Sequence, residues 1–376
     1  MRKLILILLL LALFALPSLG QSLNFGCGES LSEADCEIWM NAQSKSLEMK
    51  SANFNLDMLT GFQAKENTEL FNLNLNGSYN GDFSVLANMG PEAYLQMLSD
   101  PTQSMAFTQQ MMTTLGLHMD INLHLGDKIY ALIQAEAADN MPPQDLNMAM
   151  KLVNGVLYFN LDQLRPYFGE SEQAQIPAGW FGFDLMPMFN IMATMMDEIP
   201  STNMTPDQMD LMSQTYNDYY LIQRLESDDE NIALFELNFN YADYLQSDAY
   251  REVLKIQMQS MGDDNALSDE MLDKMIELQS EMLGSIILKA QYEINLQSSY
   301  METLRMEMRW TITEDMEGAA EEFSEALQIE LPETGELEFY FEVEAHLSEI
   351  NTAPPVMAPE EATLIPLFEA LMDDGL

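Results

Sequence analysis

The sequence predicts an α+β fold: a large curved antiparallel sheet, an incomplete β-barrel, with helices packed on its apolar concave face. Three observations carry this expectation. About ten or eleven segments alternate apolar and polar residues with period two. Nearly all of them keep one polar face, the mark of an antiparallel sheet covered on one side only. No strand–helix–strand rhythm announces a parallel sheet, so the helical segments must cover the apolar face.

The elements follow in order. Residues 1–20 read as a signal peptide: basic Arg2 and Lys3, the apolar run "LILILLLLALFALP", then small residues at Ser18 and Gly20 for cleavage after Gly20. A retained anchor is the alternative, but the apolar run falls short of the roughly 20 residues a span needs. No later run is long enough to cross a bilayer, so no transmembrane span is expected in the mature chain. Residues 21–50 form an N-terminal segment and helix. Ser30-Leu31-Ser32-Glu33 has the form of a capping box, which predicts a helix to about Lys50. Cys27 and Cys36 are the two cysteines, and a disulfide between them would pin the start of that helix. A lipidated Cys27 is the alternative, though Asn24 and Phe25 fit a lipobox poorly.

Residues 51–350 form the sheet and its covering helices as a single domain. "NFNLDML" and "LFNLNLN" alternate, a short strand is plausible over Phe83–Leu86, and residues 91–115 read as helical. "LHMDINLHL" alternates again, with "KIYALIQ" expected as its hairpin partner. "LNMAMKLVNGVLYFNL" is the clearest hairpin, because Asn154-Gly155 supplies the two positive-φ residues of a type I′ turn. "GWFGFDL" reads as a short strand, and "YYLIQRLESDDENIALFELNFNY" as a hairpin turning over its acidic centre. Residues 243–283 read as two helices broken at "GDDN", and the longest strands are "SIILKAQYEINLQ", "METLRMEMRWTIT" and "ELEFYFEVEAHLS". Residues 351–376 are a Pro-rich linker and a short amphipathic tail.

The net charge is −46, from 61 acidic and 15 basic residues, and −48 once Arg2 and Lys3 leave with the leader. Such a surface repels nucleic acid and anionic headgroups, and suits a basic protein partner if it meets one. At 47% hydrophobic the chain can still fill a core.

Candidate sites centre on methionine. Eight of 32 methionines fall between Met186 and Met212. Met188, Phe189, Met192, Met195 and Met196 recur at helical spacing and define one apolar helix face. Met306, Met308 and Trp310 share the apolar side of one strand. Packing alone accounts for such stripes, yet Met is favoured where a surface must re-pack around variable apolar partners. These eight residues are therefore the candidate lining of an apolar-ligand cavity. Copper binding through thioethers is a third reading. No cofactor is implied and no catalytic residue is assigned. His118 and His124 share a strand face but stand roughly 20 Å apart, and no nucleophile-elbow, HExxH or phosphate-loop motif occurs. "SDDEN" and "GDDN" lack the calcium-loop spacing and read as turns.

The order of "LVNGVLYFNLDQLRPYF", "IPAGWFGFDL" and "YLIQRLESDDENIALFELNFNYADYL", after a leading helix and long alternating strands, resembles the LolA/LolB and LppX/LprG-like lipoprotein carriers over residues 38–348. The counterparts are Asn154-Gly155, Val156–Phe159, Trp180–Asp184 and Leu221–Tyr244. That resemblance implies an incomplete barrel wrapped around helices, with an apolar cavity for acyl chains. The chain is longer than such carriers and lacks a lipobox. The expected function is a secreted, non-enzymatic carrier or sensor of a lipid or other apolar small molecule. An acidic envelope interaction protein with a filled core and a Met-rich copper-binding protein are the alternatives.

Overall fold

The computed structural model describes residues 27, 30–63, 67–81, 101–136, 142–167, 177–189, 219–260, 269–312 and 337–366. Its centre is one sheet of twelve strands: β1 (Ser51–Gln63), β2 (Asn67–Asn80), β3 (Gly116–Leu125), β4 (Asp145–Val153), β5 (Val156–Asn160), β6 (Trp180–Asp184), β7 (Tyr220–Leu225), β8 (Ile232–Asn240), β9 (Ile286–Asn295), β10 (Met301–Ile312), β11 (Leu337–Ser348) and β12 (Ala362–Leu364). The spatial order is β12-β6-β5-β4-β3-β2-β1-β11-β10-β9-β8-β7. Among the described residues the sheet is not closed, so it is an incomplete barrel with β12 and β7 at its edges. Every pairing among the described residues is antiparallel except β12 with β6, where the tail lies parallel. The linker from Asn351 thus leads to a docked three-residue strand.

Six α-helices are described: α1 (Glu33–Leu47), α2 (Pro101–Thr114), α3 (Asp127–Glu136), α4 (Tyr241–Leu245), α5 (Asp248–Ser260) and α6 (Asp269–Leu283). Period-two alternation puts Phe54, Leu56, Leu73, Leu75, Leu117, Met119, Met148 and Met150 on one face, and these make the main core cluster. Met112 of α2 and Ile129, Tyr130 and Ile133 of α3 pack against it. Trp39 and Ala42 of α1 pack on Phe235, Leu237, Ala290 and Ile294 in a second cluster. Tyr244, Leu245, Tyr250, Leu254 and Leu272 of α4–α6 close a third, around Phe239.

Two hairpins form as the sequence predicts. Asn154 (φ 54°) and Gly155 (φ 77°) make the β4–β5 turn. β7 and β8 flank "SDDEN", where Asp229 Oδ1 accepts from the Asn231 amide at 2.8 Å and closes a local turn.

Other elements differ. "KIYALIQ" is α3, not a strand, and β3 pairs with β4 instead. A short apolar run cannot be assigned by period alone. Gly126 decides the case: its amide donates to Leu70 O and its carbonyl accepts from Tyr130, so the chain leaves β3 straight into a helical turn. The helix cap is Ser32, not Ser30. Ser32 Oγ accepts from the Asp35 amide at 3.2 Å, while the Ser30 hydroxyl is spent on Ile222 O. The helix then ends at Leu47 rather than Lys50. The helical region 243–283 begins at Tyr241 and breaks first near Ser247, whose hydroxyl accepts from the Tyr250 amide to start α5. The "GDDN" break and the expected strand Phe83–Leu86 lie outside the described residues.

Candidate apolar site and the opposite polar face

The apolar side of β9, β10 and β11 carries the strand half of the expected cavity. Met306 lies between Ala290 and Val343, Met308 between Leu288 and Phe341, and Trp310 between Ile286 and Phe339. Register thus gathers three rows of apolar side chains. The flanking Ala290 and Val343 are buried, but Met306, Met308, Trp310, Ile286, Leu288, Phe339 and Phe341 are only partly buried. Phe62 of β1 continues the patch, its ring 5.5 Å from that of Phe339. The patch lies where the three core clusters meet: Met306 and Phe341 touch the main cluster, Leu304 is shared with the second, and Leu288 belongs to the third.

The helical half of the expected site is only partly described. The Asp184 carboxylate accepts from the Met186 amide at 3.0 Å, and Phe189 N donates to Leu185 O, so a helical turn opens directly after β6. Phe189 is buried and Met188 half-buried there. Six strands of the sheet separate β6 from β10, and no described contact joins Met188 or Phe189 to Met306, Met308 or Trp310. Met192, Met195 and Met196 lie outside the described residues. Phe339, Phe341, Ile286 and Leu288 were not singled out in the sequence, although their alternation in "ELEFYFEVEAHLS" and "SIILKAQYEINLQ" places them on the same face.

Cys27 and Cys36 are joined by a disulfide, with Cα atoms 5.3 Å apart. Cys27, Leu31 and Ile38 pack on the cluster that holds Trp39. The Trp39 ring meets Phe235 at 5.4 Å and Tyr292 at 5.2 Å. Burial in this cluster pushes the Tyr292 phenol up to about 12, so it stays neutral.

The other face of the same strands is polar. In β1–β3 it is an amide ladder, in which Asn55 donates to Asn76, Asn76 to Asn74, and Asn74 to Asp57. In β8–β11 it is ionic. Arg305 bridges Glu293 and Glu344. Glu307 and Glu342 stand directly opposite one another, a repulsive register that Arg309 resolves by binding both, at 2.7 and 2.8 Å. The Arg309 guanidinium also covers the Tyr340 ring at 5.4 Å. Tyr340 in turn lies across Gly61, where a Cβ would collide with it.

Glu236 is buried at the centre of this ionic region. Burial disfavours its charge, but Lys289, Gln291, Asn238 and Gln223 all donate to the carboxylate and hold it down at about 2. A cleft of about 480 Å³ crosses the face, lined by Asp57, Lys289, Arg305, Glu307, Glu342 and Glu344 among others.

The histidines stay apart. His118 Nε2 is 3.5 Å from Asp120, and burial lowers the His118 pKa despite that carboxylate. His124 pairs with Asp145 at 2.7 Å, and His346 lies beside Thr303. Among the described residues no group of three or more His, Cys, Asp or Glu is placed to hold a metal ion, and no helix is long and apolar enough to cross a membrane.

No protein-family model matches the sequence, no curated protein matches it, and no solved structure matches the fold.

Proposed function

We propose that the chain is a non-enzymatic carrier or sensor of an apolar ligand, a lipid or the acyl chains of a lipoprotein. The observation that supports this reading is the partly exposed patch around Met306, Met308 and Trp310, beside a main core in which Leu75, Met119 and Met150 are almost fully buried. Thioethers and aromatic edges adapt to a flexible chain without fixed geometry. Each ligand methylene removed from water there contributes about 0.8 kcal/mol. The methionines of the helix after β6 complete the lining in this reading. The resemblance to LolA/LolB-type carriers points the same way. The basic, apolar leader and the disulfide support export to an oxidising compartment.

The test is native mass spectrometry of protein purified without detergent, followed by solvent extraction. A stoichiometric lipid that is lost in Met308→Glu is the expected result. A clean protein mass that stays unchanged after incubation with fatty acid or phospholipid would sink the proposal. A second reading draws on the ionic face, where carboxylates outnumber cations around the cleft. It makes the chain an acidic docking protein for a basic partner, and capture that weakens steeply with salt would favour it.

A further inference from the structure

β7 is the last strand of the sheet among the described residues. Its sequence is Tyr220-Leu221-Ile222-Gln223-Arg224-Leu225. It holds no carboxylate, although the chain has 61, and neither proline nor glycine. An edge strand of this composition is a template for another strand. Leu221 faces away from the core and is 51% exposed, whereas Ile222 is 2% exposed.

The segment ahead of α1 guards part of this edge. The Ser30 hydroxyl donates to the Ile222 carbonyl at 2.5 Å, capping a backbone acceptor of the edge strand. Cys27 and Leu31 sit against the cluster that contains Ile222. The bond from Cys27 to Cys36, in the first turn of α1, ties the segment down on both sides of Ser30. The disulfide therefore holds the guard on the edge.

We propose that β7 is an interaction surface for a second copy of this chain, opened by reduction of the Cys27–Cys36 disulfide. A dithiol supplies two electrons and two protons: the S–S bond breaks, two S–H bonds form, and the dithiol becomes its own disulfide. The freed segment releases Ile222 O, and two β7 strands pair antiparallel about a two-fold axis. With Gln223 opposite its symmetry mate, Leu221 meets Leu225 on one face and Ile222 meets Arg224 on the other. That register covers the exposed Leu221 and places no two like charges opposite each other. Self-complementarity argues for a second copy over a foreign strand. Because both copies are strongly acidic, salt strengthens the pairing, whereas it would weaken the capture of a basic partner.

Light scattering on the full chain, at low and high salt, tests this. The oxidised chain is expected to be monomeric. Treatment with dithiothreitol should double the mass, more completely at high salt, and reoxidation should restore the monomer. The Cys27→Ser/Cys36→Ser variant should dimerise without reductant, and Leu221→Lys should stay monomeric when reduced. An unchanged mass on reduction, a dimer already present in the oxidised chain, or a reduced dimer that survives Leu221→Lys would each overturn the proposal. So would a far-ultraviolet spectrum showing that reduction unfolds the sheet, since the disulfide would then hold the whole fold and not one edge.

Discussion

Two stretches of one sheet face use methionine in opposite ways. In β3 and β4, Met119 and Met150 pair across strands and are both 0% exposed. In β10, Met306 and Met308 have apolar neighbours on both sides, yet both stay only partly buried. Residue type, sheet face and strand pairing are shared, so none of these causes the difference. What differs is the layer above. α2 and α3 bring Met112, Ile129, Tyr130 and Ile133 down on the main cluster, whereas β10 lies at the seam between three clusters. A methionine stripe thus marks a surface able to re-pack, and the covering layer decides whether it does.

The sharpest way to break this contrast is to truncate both sites. Met150→Ala should lose about 2–5 kcal/mol in urea unfolding, through lost burial and a cavity. Met308→Ala should lose well under half of that while weakening lipid uptake. Equal losses at the two positions would mean that the β10 patch is ordinary core.

The next largest effect is acid sensitivity on the ionic face. The Glu236 carboxyl sits at about 2 in the fold against an ordinary 4.5. Its stabilising contribution is complete above the unfolded value and is lost as pH falls through the folded one. Glu236→Gln should therefore flatten the acid limb of stability between roughly pH 4.5 and 2, and acid titration followed by circular dichroism reads it. An unchanged limb would place the buried charge elsewhere.

Smaller is the cost of Arg309→Gln, which leaves Glu307 facing Glu342. A loss of about 1 kcal/mol is expected, shrinking in high salt, and unfolding at two ionic strengths measures it. The smallest is Gly155→Ala at φ 77°, with about 1 kcal/mol or less. Urea unfolding measures it, and the strain is shared with Met186, whose Sδ would lie 2.9 Å from the added Cβ.

Much of this fold was legible in the sequence because period two survives in it. Asn154-Gly155, the β7–β8 hairpin and the three long strands β9–β11 are all written in local alternation and turn chemistry. Residues 128–134 were not. Their apolar spacing suits either period, and the choice rested on how Gly126 engages Leu70, a partner more than fifty residues back. The Ser30/Ser32 ambiguity is of the same kind, because the hydroxyl of Ser30 is claimed by Ile222, 192 residues away. In the candidate site, Met306, Met308 and Trp310 were visible as one face. Phe339 and Phe341 became part of it only through the β10–β11 register. Glu236 could not be recognised at all, since one carboxylate among 61 acidic side chains stands out only when four donors converge on it.

The pairing of β1 with β11 sets a timetable. The first long strand of the chain lies between β2 and the last long strand, and eleven residue pairs join it to β11. Closing so long a loop is slow, because its entropy is spent before the contacts form. A ribosome that has delivered residues 51–312 has made most of the strands and still left one flank of β1 without its mate. During that interval the growing chain carries an open, apolar-faced edge in its middle. Its acidic side chains keep such intermediates apart by repulsion. A chain threaded unfolded through a membrane would complete its sheet only on the far side, once residue 348 had crossed.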